Sequence, residues 1–176
     1  MIIISPAKKQ IESHVAPMTL PSHLDKTMAL WQVMKDMSAA QLAKQLGVSE
    51  KIAHENVQRL SEITREAFTL ETTTPAMYTY AGDVYHYLQA DSLDDQDVAY
   101  AQKNLRIISA FYGPLRPLDG ILPYRLEMIS RLPGFKDLAG YWEKDVTDML
   151  ADESILFNLA SVEYAKTVDQ SRIKRW

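Results

Sequence analysis

The sequence predicts a mixed α+β fold, or an irregular α/β fold, in which a few separated strands alternate with several helices. Runs with strand character are short and far apart, at Met1–Ile4, Met77–Ala81 and Ile155–Ala160. Between these runs, apolar residues recur three and four positions apart, which is the spacing of amphipathic helices. The length of 176 residues suits one domain spanning 1–176.

The N-terminal segment carries a strand signal followed by turn and helix signals. Met1–Ile4 is a β-branched run typical of a buried strand, and Ser5-Pro6 directly after it is typical of a helix start. Prolines punctuate residues 10–21, which we expect to form a loop. Ser22 is then expected to cap a helix that runs to about Met37.

A two-helix unit of the helix–hairpin–helix kind is predicted over 38–66. Ser38-Ala39-Ala40-Gln41 has the form of a capping box, in which the serine hydroxyl and the glutamine satisfy each other's backbone amides. Gly47 is expected to end this helix, because glycine accepts the left-handed conformation at helix C-termini. The next helix has apolar residues on its inner side at Ala53, Val57, Leu60, Ile63 and Ala67.

The second half of the chain alternates between the two types of element. Met77–Ala81 is aromatic and alternating, as in a strand. Apolar spacing through Leu105 and Ile108 predicts a helix that starts at Ser92 and is ended by Gly113, and prolines are expected to keep Gly113–Pro123 irregular. A further helix is predicted at Leu138–Met149, before the last strand.

Composition excludes several classes of protein. The chain has no cysteine, which excludes disulfides, thiol catalysis and cysteine-ligated metal centres. Its apolar stretches are too short to span a bilayer and its N-terminus lacks a secretory pattern, so we expect a cytoplasmic protein with no membrane partner. The four histidines are scattered, without 2-His-1-carboxylate spacing, so no metal site and no cofactor is predicted.

Charge is distributed unevenly along the chain, whose formal net charge is −4. Seven acids and no Lys or Arg lie between Glu66 and Gln102, whereas five bases and two acids lie between Arg106 and Lys136. Such segregation favours an acidic outer face and a basic cleft. Acids that solvate exposed helices and arginines that pair internally would give the same pattern, so both interpretations stay open.

The segment Ser5-Pro6-Ala7-Lys8 is the first of four that could carry chemistry. Ser and Lys three residues apart occur in serine acyl-enzymes of the penicillin-binding class, but the Ser-Asp-Asn and Lys-Thr-Gly companion motifs are absent. At a helix N-terminus, free amides, the Ser5 hydroxyl and the Lys8 ammonium would form an anion site. Plain strand-to-helix capping with a solvated lysine is the alternative.

The second segment is Leu46-Gly47-Val48, between the two predicted helices. A hydrophobic–Gly–hydrophobic link is typical of helix–hairpin–helix units, whose glycine lets backbone amides approach DNA phosphate. The string also fits a helix-turn-helix. Lys44, Lys51 and Arg59 supply a modest set of cations, which suits contact that is independent of base sequence. A glycine-closed pair of helices also occurs in proteins that bind no DNA.

The remaining two segments hold polar residues in rigid or strand-end positions. Prolines constrain the backbone near Arg116 and Arg125, which could present two guanidinium groups to a phosphate or carboxylate. Asp119 and Glu127 could instead neutralise these arginines in buried pairs. The end of the last strand, a position that often lines a cleft in mixed folds, carries Asn158, Ser161, Glu163, Tyr164 and Lys166. A helix cap at Ser161 with a satisfied Asn158 is the alternative for this segment.

Five co-linear motifs resemble the signatures of the YaaA family of peroxide-stress proteins. In the family's order, they are Ile4-Ser5-Pro6-Ala7-Lys8, Gly82-Asp83-Val84-Tyr85, Tyr112-Gly113 to Asp119, Tyr124-Arg125-Leu126-Glu127-Met128 and Asn158-Leu159-Ala160-Ser161. The resemblance implies a mixed α/β fold of the family's own, a positively charged cleft and a helix–hairpin–helix element. It also implies resistance to hydrogen peroxide, a limit on free intracellular iron, and binding to duplex and branched DNA.

The resemblance also assigns residues to that cleft. Matched motif by motif, the cleft positions are Lys8, Arg116, Arg125, Asn158 and Lys166, the hairpin glycine is Gly47, and Ser5 and Asp83 belong to the motifs without a firm role. The family's usual continuation of the first motif is replaced by Lys9-Gln10. Family members extend past the position of Trp176, so we expect a C-terminal segment to be missing from this chain.

Two functions follow from these residues. The preferred one is a non-enzymatic stress protein that binds DNA through a basic cleft and the helix pair, protecting DNA and limiting the effects of free iron. The alternative is an enzyme acting on a phosphate-bearing or nucleotide-like ligand held by Lys8, Arg116 and Arg125. Its acid or base candidates are Asp83, Glu127 and Glu163. A closed pocket would favour the enzyme, and a groove wide enough for a duplex would favour DNA binding.

Overall fold

The computed structural model describes residues 1–176 and contains eight α-helices among small mixed sheets, so the predicted α+β class is confirmed. The helices are α1 (Leu24–Lys35), α2 (Ala39–Leu46), α3 (Glu50–Glu62), α4 (Ala76–Thr79), α5 (Asp83–Leu88), α6 (Asp95–Asn104), α7 (Leu138–Leu150) and α8 (Val162–Ala165). The strands are β1 (Ile2–Ile4), β2 (Lys9–Gln10), β3 (Thr74–Pro75), β4 (Tyr80–Ala81), β5 (Leu105–Ser109), β6 (Gly113–Leu115), β7 (Gly120–Ile121) and β8 (Phe157–Asn158).

A four-stranded sheet with the order β6-β5-β1-β8 forms the centre of the fold. β1 lies parallel to both of its neighbours, with Ile3 opposite Arg106 of β5 and Asn158 of β8, whereas β5 and β6 are antiparallel. Every residue of β5 is buried, as expected for a strand with partners on both sides. The parallel pairing brings the carboxyl ends of β1 and β8 together, and cleft residues of mixed folds collect at such ends.

Trp142 of α7 anchors the helix layer to the sheet. Its side chain is fully buried, and its Nε1 donates to the carbonyl oxygen of Ala110 at 2.8 Å. Gly113 begins β6 with a φ of +72°, and a Cβ built there would lie 2.5 Å from the Trp142 ring. Position 113 therefore requires glycine twice, for its left-handed backbone and for the close approach of the indole.

The two predicted helices of 38–66 are present as α2 and α3. The Ser38 side chain accepts from the Gln41 amide and the Gln41 side chain accepts from the Ser38 amide, so the capping box is confirmed. Gly47 ends α2 in the left-handed conformation, with a φ of +63°. Identification of this pair as a DNA-binding helix–hairpin–helix stays a prediction.

The inner face predicted for α3 is only partly correct. Ala53, Leu60 and Ile63 are buried, but Val57 is 36% exposed. The helix ends at Glu62, so Ala67 lies beyond it and is not on its inner face. The predicted periodicity therefore runs past the end of the helix, because apolar spacing alone does not mark where a helix stops.

No helix follows β1, so the predicted helix start at Ser5-Pro6 is wrong. The chain instead forms β2, in which Lys9 lies opposite Ala81 and Gln10 opposite Tyr80 of β4. Long-range pairing thus overrides the local helix signal. The first helix is α1, and its N-cap is His23, which caps it without a side-chain hydrogen bond, rather than Ser22.

Two predictions in the middle of the chain are also wrong. Met77–Ala81 is not one strand, because the helical turn α4 covers most of it and only Tyr80–Ala81 is extended. The helix predicted from Ser92 to Gly113 begins only at Asp95 and stops at Asn104, and Leu105–Ser109 form the central strand β5. A short apolar run is compatible with the periodicity of a helix and with that of a strand. Pairing with β1 decides that this run forms a strand.

The later elements agree better with the sequence. The helix predicted at Leu138–Met149 is confirmed as α7. The last strand is present as β8 but is shorter than the predicted Ile155–Ala160. The stretch Gly113–Pro123, expected to be irregular, contains the short strands β6 and β7. None of the helices combines the length and apolar character needed to cross a membrane.

Candidate functional site

A pocket opens at the carboxyl ends of β1 and β8, where the motifs that follow these two strands meet. Its volume is about 350 Å³, which is in the range of small-ligand sites. We call it the Lys8 pocket. Its lining residues are Ser5, Pro6, Ala7, Lys8, Gln10, Val84, Tyr124, Arg125, Leu126, Glu127, Leu159, Ala160, Ser161, Glu163 and Tyr164.

Glu127 neutralises both cations of the Lys8 pocket. Its Oε1 accepts from Arg125 Nη2 at 2.7 Å, and its Oε2 lies 2.8 Å from Lys8 Nζ. The Arg125 and Glu127 side chains are 16% and 14% exposed, whereas that of Lys8 is 67% exposed. Glu127 therefore neutralises Arg125, as one of the two interpretations expected, but in a half-buried rather than a fully buried pair. Lys8 keeps two ammonium donors for other partners, since an ammonium group has three.

Two carboxamide side chains hold the backbone that carries Arg125. Gln10 accepts from the Tyr124 amide and donates to the Tyr124 carbonyl oxygen, both at 3.0 Å. Asn56 of α3 is fully buried, accepts from the Arg125 amide at 3.1 Å and donates to the Arg125 carbonyl oxygen at 3.5 Å. The two side-chain amides thus hydrogen-bond to backbone N–H and C=O groups of a loop, which have no partner in a strand.

Neither carboxamide is among the residues that the sequence predicted. Asn56 lies between the buried Ala53 and Leu60 on α3, and a polar residue on an inner helix face implies a specific hydrogen-bond partner. That signal was available in the sequence. Gln10 had no such signal, because its role depends on the β2–β4 pairing.

Ser5 ties the two strand ends together. Its Oγ accepts from the Ser161 amide at 2.9 Å and donates to Ser161 Oγ at 3.3 Å. Its carbonyl oxygen accepts from the Tyr85 hydroxyl at 2.9 Å. Asn158 lies outside the pocket lining, and its side chain accepts from the Ala160 amide at 3.0 Å. Ser5 therefore organises the pocket wall, and Asn158 shapes the turn after β8.

Tyr124 connects the pocket to the protein core. Its hydroxyl lies 2.8 Å from both the Tyr80 hydroxyl and Ser109 Oγ. Burial raises the pKa of Tyr124 and of Tyr80 well above the ordinary value. Both hydroxyls therefore stay protonated, and either oxygen of each contact can be the donor.

The predicted cleft residues do not all line one cleft. Lys8 and Arg125 line the Lys8 pocket, but the exposed Arg116 does not. Lys166 lines a separate concavity beside the N-terminal end of α7. Asp83 is exposed at the start of α5 and also lies outside the lining. The single-cleft prediction is therefore wrong for Arg116 and Lys166, because motif order does not reveal the direction of each loop.

Asp119 holds the loop between β6 and β7. Its Oδ1 accepts from Thr19 Oγ1 at 2.6 Å and its Oδ2 accepts from the Arg116 backbone amide at 2.8 Å. Burial raises the pKa of the Asp119 carboxyl, and these hydrogen bonds oppose the rise. The aspartate thus binds the Arg116 backbone while the Arg116 side chain is exposed, so the buried ion pair expected here is not formed.

The turn between α2 and α3 presents an exposed glycine. A Cβ on Gly47 would meet nothing within 4 Å. The amides of Gly47 and Val48 both donate to the Ala43 carbonyl oxygen, so neither is available to a ligand. The amides of Glu50 and Lys51, in the first turn of α3, have no acceptor within the chain. Any anion at this turn would bind those later amides.

Charges around this turn are mixed. Lys44 and Lys51 are exposed, whereas Arg59 is half-buried in a concavity that also contains Glu62. The acid Glu50 lies in the first turn of α3 beside Lys51. The helix pair therefore presents a few cations without a broad basic surface.

Metal-ligating side chains are dispersed. The structure contains no group of three or more His, Asp or Glu side chains placed to hold a metal ion. His23 lies 3.6 Å from Asp145 and packs edge-on against Trp142, and His86 packs against Tyr87. These histidines thus make structural contacts at separate places.

The family model of the peroxide stress protein YaaA matches residues 1–176, the whole chain. The chain belongs to the YaaA family. Its relatives include UPF0246 proteins of Legionella pneumophila strain Lens, 40% identical over 184 residues, and of Dinoroseobacter shibae, 43% identical over 183 residues. The alignments cover 98% of this chain and 72% and 68% of those relatives. The resemblance carried by the five motifs is therefore confirmed, and the YaaA chain is a member of a peroxide-stress family.

Proposed function

We propose that this YaaA chain acts in the cytoplasmic response to peroxide stress by binding DNA through its phosphates. The observation that supports it is the α2–α3 turn, where the exposed Gly47 precedes the unpaired amides of Glu50 and Lys51. Unpaired amides at the start of a helix form a site for phosphate oxygens. The exposed Lys44 and Lys51 add positive charge beside it.

The small number of cations defines the kind of DNA contact. A few phosphate contacts give weak binding that depends strongly on salt and little on base sequence. Acids on the same helix, such as Glu50, reduce the affinity further. We propose that such binding protects DNA from oxidation, so that an effect on free iron is indirect.

The Lys8 pocket does not serve as the basic cleft of this proposal. A volume of about 350 Å³ suits a small ligand and does not admit a duplex. Glu127 also pairs with both of its cations, so little positive charge remains there. We therefore assign DNA contact to the helix pair alone.

The alternative is an enzyme acting on a phosphate-bearing ligand held by Lys8, Arg116 and Arg125. Only two of these three cations line the Lys8 pocket. Arg116 lies outside the pocket. A small-ligand site at the Lys8 pocket remains a second candidate function, because its volume and its polar groups at strand ends are typical of such sites.

The decisive experiment is a fluorescence-anisotropy titration of labelled duplexes and four-way junctions with the chain, across a salt series. Phosphate contact predicts that the logarithm of the association constant falls linearly with the logarithm of salt concentration, equally for several base sequences. Affinity that does not change with salt, or no binding at low salt, would contradict the proposal.

A further inference from the structure

The formal charges of the residues that line the Lys8 pocket sum to zero. Its charged lining residues are the cations Lys8 and Arg125 and the carboxylates Glu127 and Glu163. A phosphate entering the pocket would meet two carboxylates as well as two cations. Like charges at short range disfavour that arrangement, so an anion alone is a poor fit.

Glu163 is the one charged lining residue without an ion pair. Lys8, Arg125 and Glu127 are joined by contacts of 2.8 and 2.7 Å, whereas no Lys, Arg or His lies within ion-pair distance of Glu163. Its side chain also has no hydrogen-bond partner within the chain, and the residue is half-buried. Because this carboxylate has no partner within the chain, it is free to pair with a cationic or N–H donor group of a ligand.

The remaining lining supplies the other contacts of a small organic molecule. Lys8 retains two ammonium donors, which can bind an acidic group. Ser5 and Ser161 contribute hydroxyls close to each other, with their Oγ atoms 3.3 Å apart. The carbon part of a ligand would contact the apolar side chains of Pro6, Ala7, Val84, Leu126, Leu159 and Ala160.

We propose that the Lys8 pocket binds a small amphoteric molecule of amino-acid size. Its protonated nitrogen would pair with the Glu163 carboxylate, and its acidic group would bind the Lys8 ammonium. The volume of about 350 Å³ suits such a ligand. This site is separate from the α2–α3 turn, so the outcome of a ligand-binding test here does not depend on whether the chain binds DNA.

The test is isothermal titration calorimetry of the intact chain with the standard amino acids, n-butylamine, butyrate and inorganic phosphate. At least one amino acid is expected to bind, and more tightly than n-butylamine, butyrate or phosphate. Replacing the unpaired carboxylate in Glu163→Gln should weaken that binding by roughly tenfold or more. Lys8→Met should remove the preference for the amino acid over n-butylamine.

Glu143→Gln is the matched control, because Glu143 is an exposed carboxylate on α7 that lines another concavity. It should bind the same amino acid as wild type does. Thermal unfolding of Glu163→Gln should match wild type, since the substitution removes no intramolecular partner. Preferential binding of phosphate or butyrate, unchanged affinity in Glu163→Gln, or binding of no amino acid would each overturn the proposal.

Discussion

The Glu127 carboxylate lies 2.8 Å from the Lys8 ammonium, although the two residues are in different motifs far apart along the chain. The contact joins the segment after β1 to the loop that carries Arg125. It also changes the electrostatics of the Lys8 pocket, because a carboxylate that binds two cations leaves little net positive charge. The cations that the motifs place in a basic cleft are thus largely neutralised within the protein.

Replacing Glu127 by glutamine should lower stability and change ligand preference. Glu127→Gln leaves the half-buried Arg125 without its charged partner, so we expect the free energy of unfolding to fall by about 2 kcal/mol in urea denaturation. The same variant should bind inorganic phosphate more tightly than wild type, as calorimetry can measure. Glu143→Gln should show neither change, and a wild-type phosphate affinity in Glu127→Gln would contradict the charge-balance interpretation.

Removing one cation at the helix pair should make DNA binding less dependent on salt. Lys51 is exposed at the start of α3, so Lys51→Ala should weaken binding to all duplexes equally and make the salt slope shallower by about one. Arg59→Ala should have a smaller effect, because Arg59 is half-buried beside Glu62. Lys103→Ala on α6 is the control, and an equal effect of this variant would point to unspecific attraction.

The side chain at position 47 should affect DNA binding through bulk and backbone conformation. Gly47→Val introduces a branched residue at a φ of +63°, in the turn that precedes the unpaired amides of α3, so we expect it to strain that turn and to weaken DNA binding more than Lys51→Ala does. Gly47→Asn is the matched control, because asparagine tolerates the left-handed conformation. Circular dichroism should confirm that both variants are folded. Full binding by folded Gly47→Val would exclude phosphate contact at this turn.

Two glycines with similar backbone angles should differ sharply in their tolerance of alanine. Gly113→Ala places a Cβ 2.5 Å from the Trp142 ring at a φ of +72°, and we expect a loss of about 3 kcal/mol. Gly134→Ala meets nothing within 4 Å at a φ of +82°, so only about 1 kcal/mol of backbone strain is expected. Equal losses in thermal denaturation would mean that the indole moves aside without cost.

Asp119 should make the stability of this protein fall as the pH rises. Burial raises the pKa of this carboxyl above its ordinary value of 3.8, so the folded state binds its proton more tightly than the unfolded state does. Its contribution to stability is therefore lost as the pH rises from 3.8 through the folded-state pKa. Urea denaturation across this range should show that fall in wild type and not in Asp119→Asn.

Asp148 provides a control of opposite sign. Hydrogen bonds from Lys144 and Arg172 lower the pKa of the Asp148 carboxyl below 3.8, so its contribution is present above that pH and is lost as the pH falls through the folded-state pKa. In Asp148→Asn the free energy of unfolding should therefore still fall as the pH rises above 3.8, whereas in Asp119→Asn it should not. If both variants behave alike in that range, another group is responsible.

Local chemistry determined several parts of this protein that the sequence shows directly. The capping box at Ser38, the left-handed Gly47 and the apolar spacing of α7 each depend on residues within a few positions of one another. Steric and hydrogen-bonding preferences act at that range, so they leave a readable pattern. The five family motifs are likewise a property of residue order, and they were sufficient to identify the family.

Tertiary structure alone decided the central strand and the composition of the pocket. Residues Leu105–Ser109 satisfy helical spacing, and they become β5 because β1 offers hydrogen bonds beside them. Glu127 faces Lys8 and Asn56 faces Arg125 through contacts between distant segments, whereas the Arg116 side chain is exposed outside the pocket although its neighbours are buried. Such contacts depend on the path of the whole chain, since strand pairing and charge neutralisation join residues that local sequence does not relate.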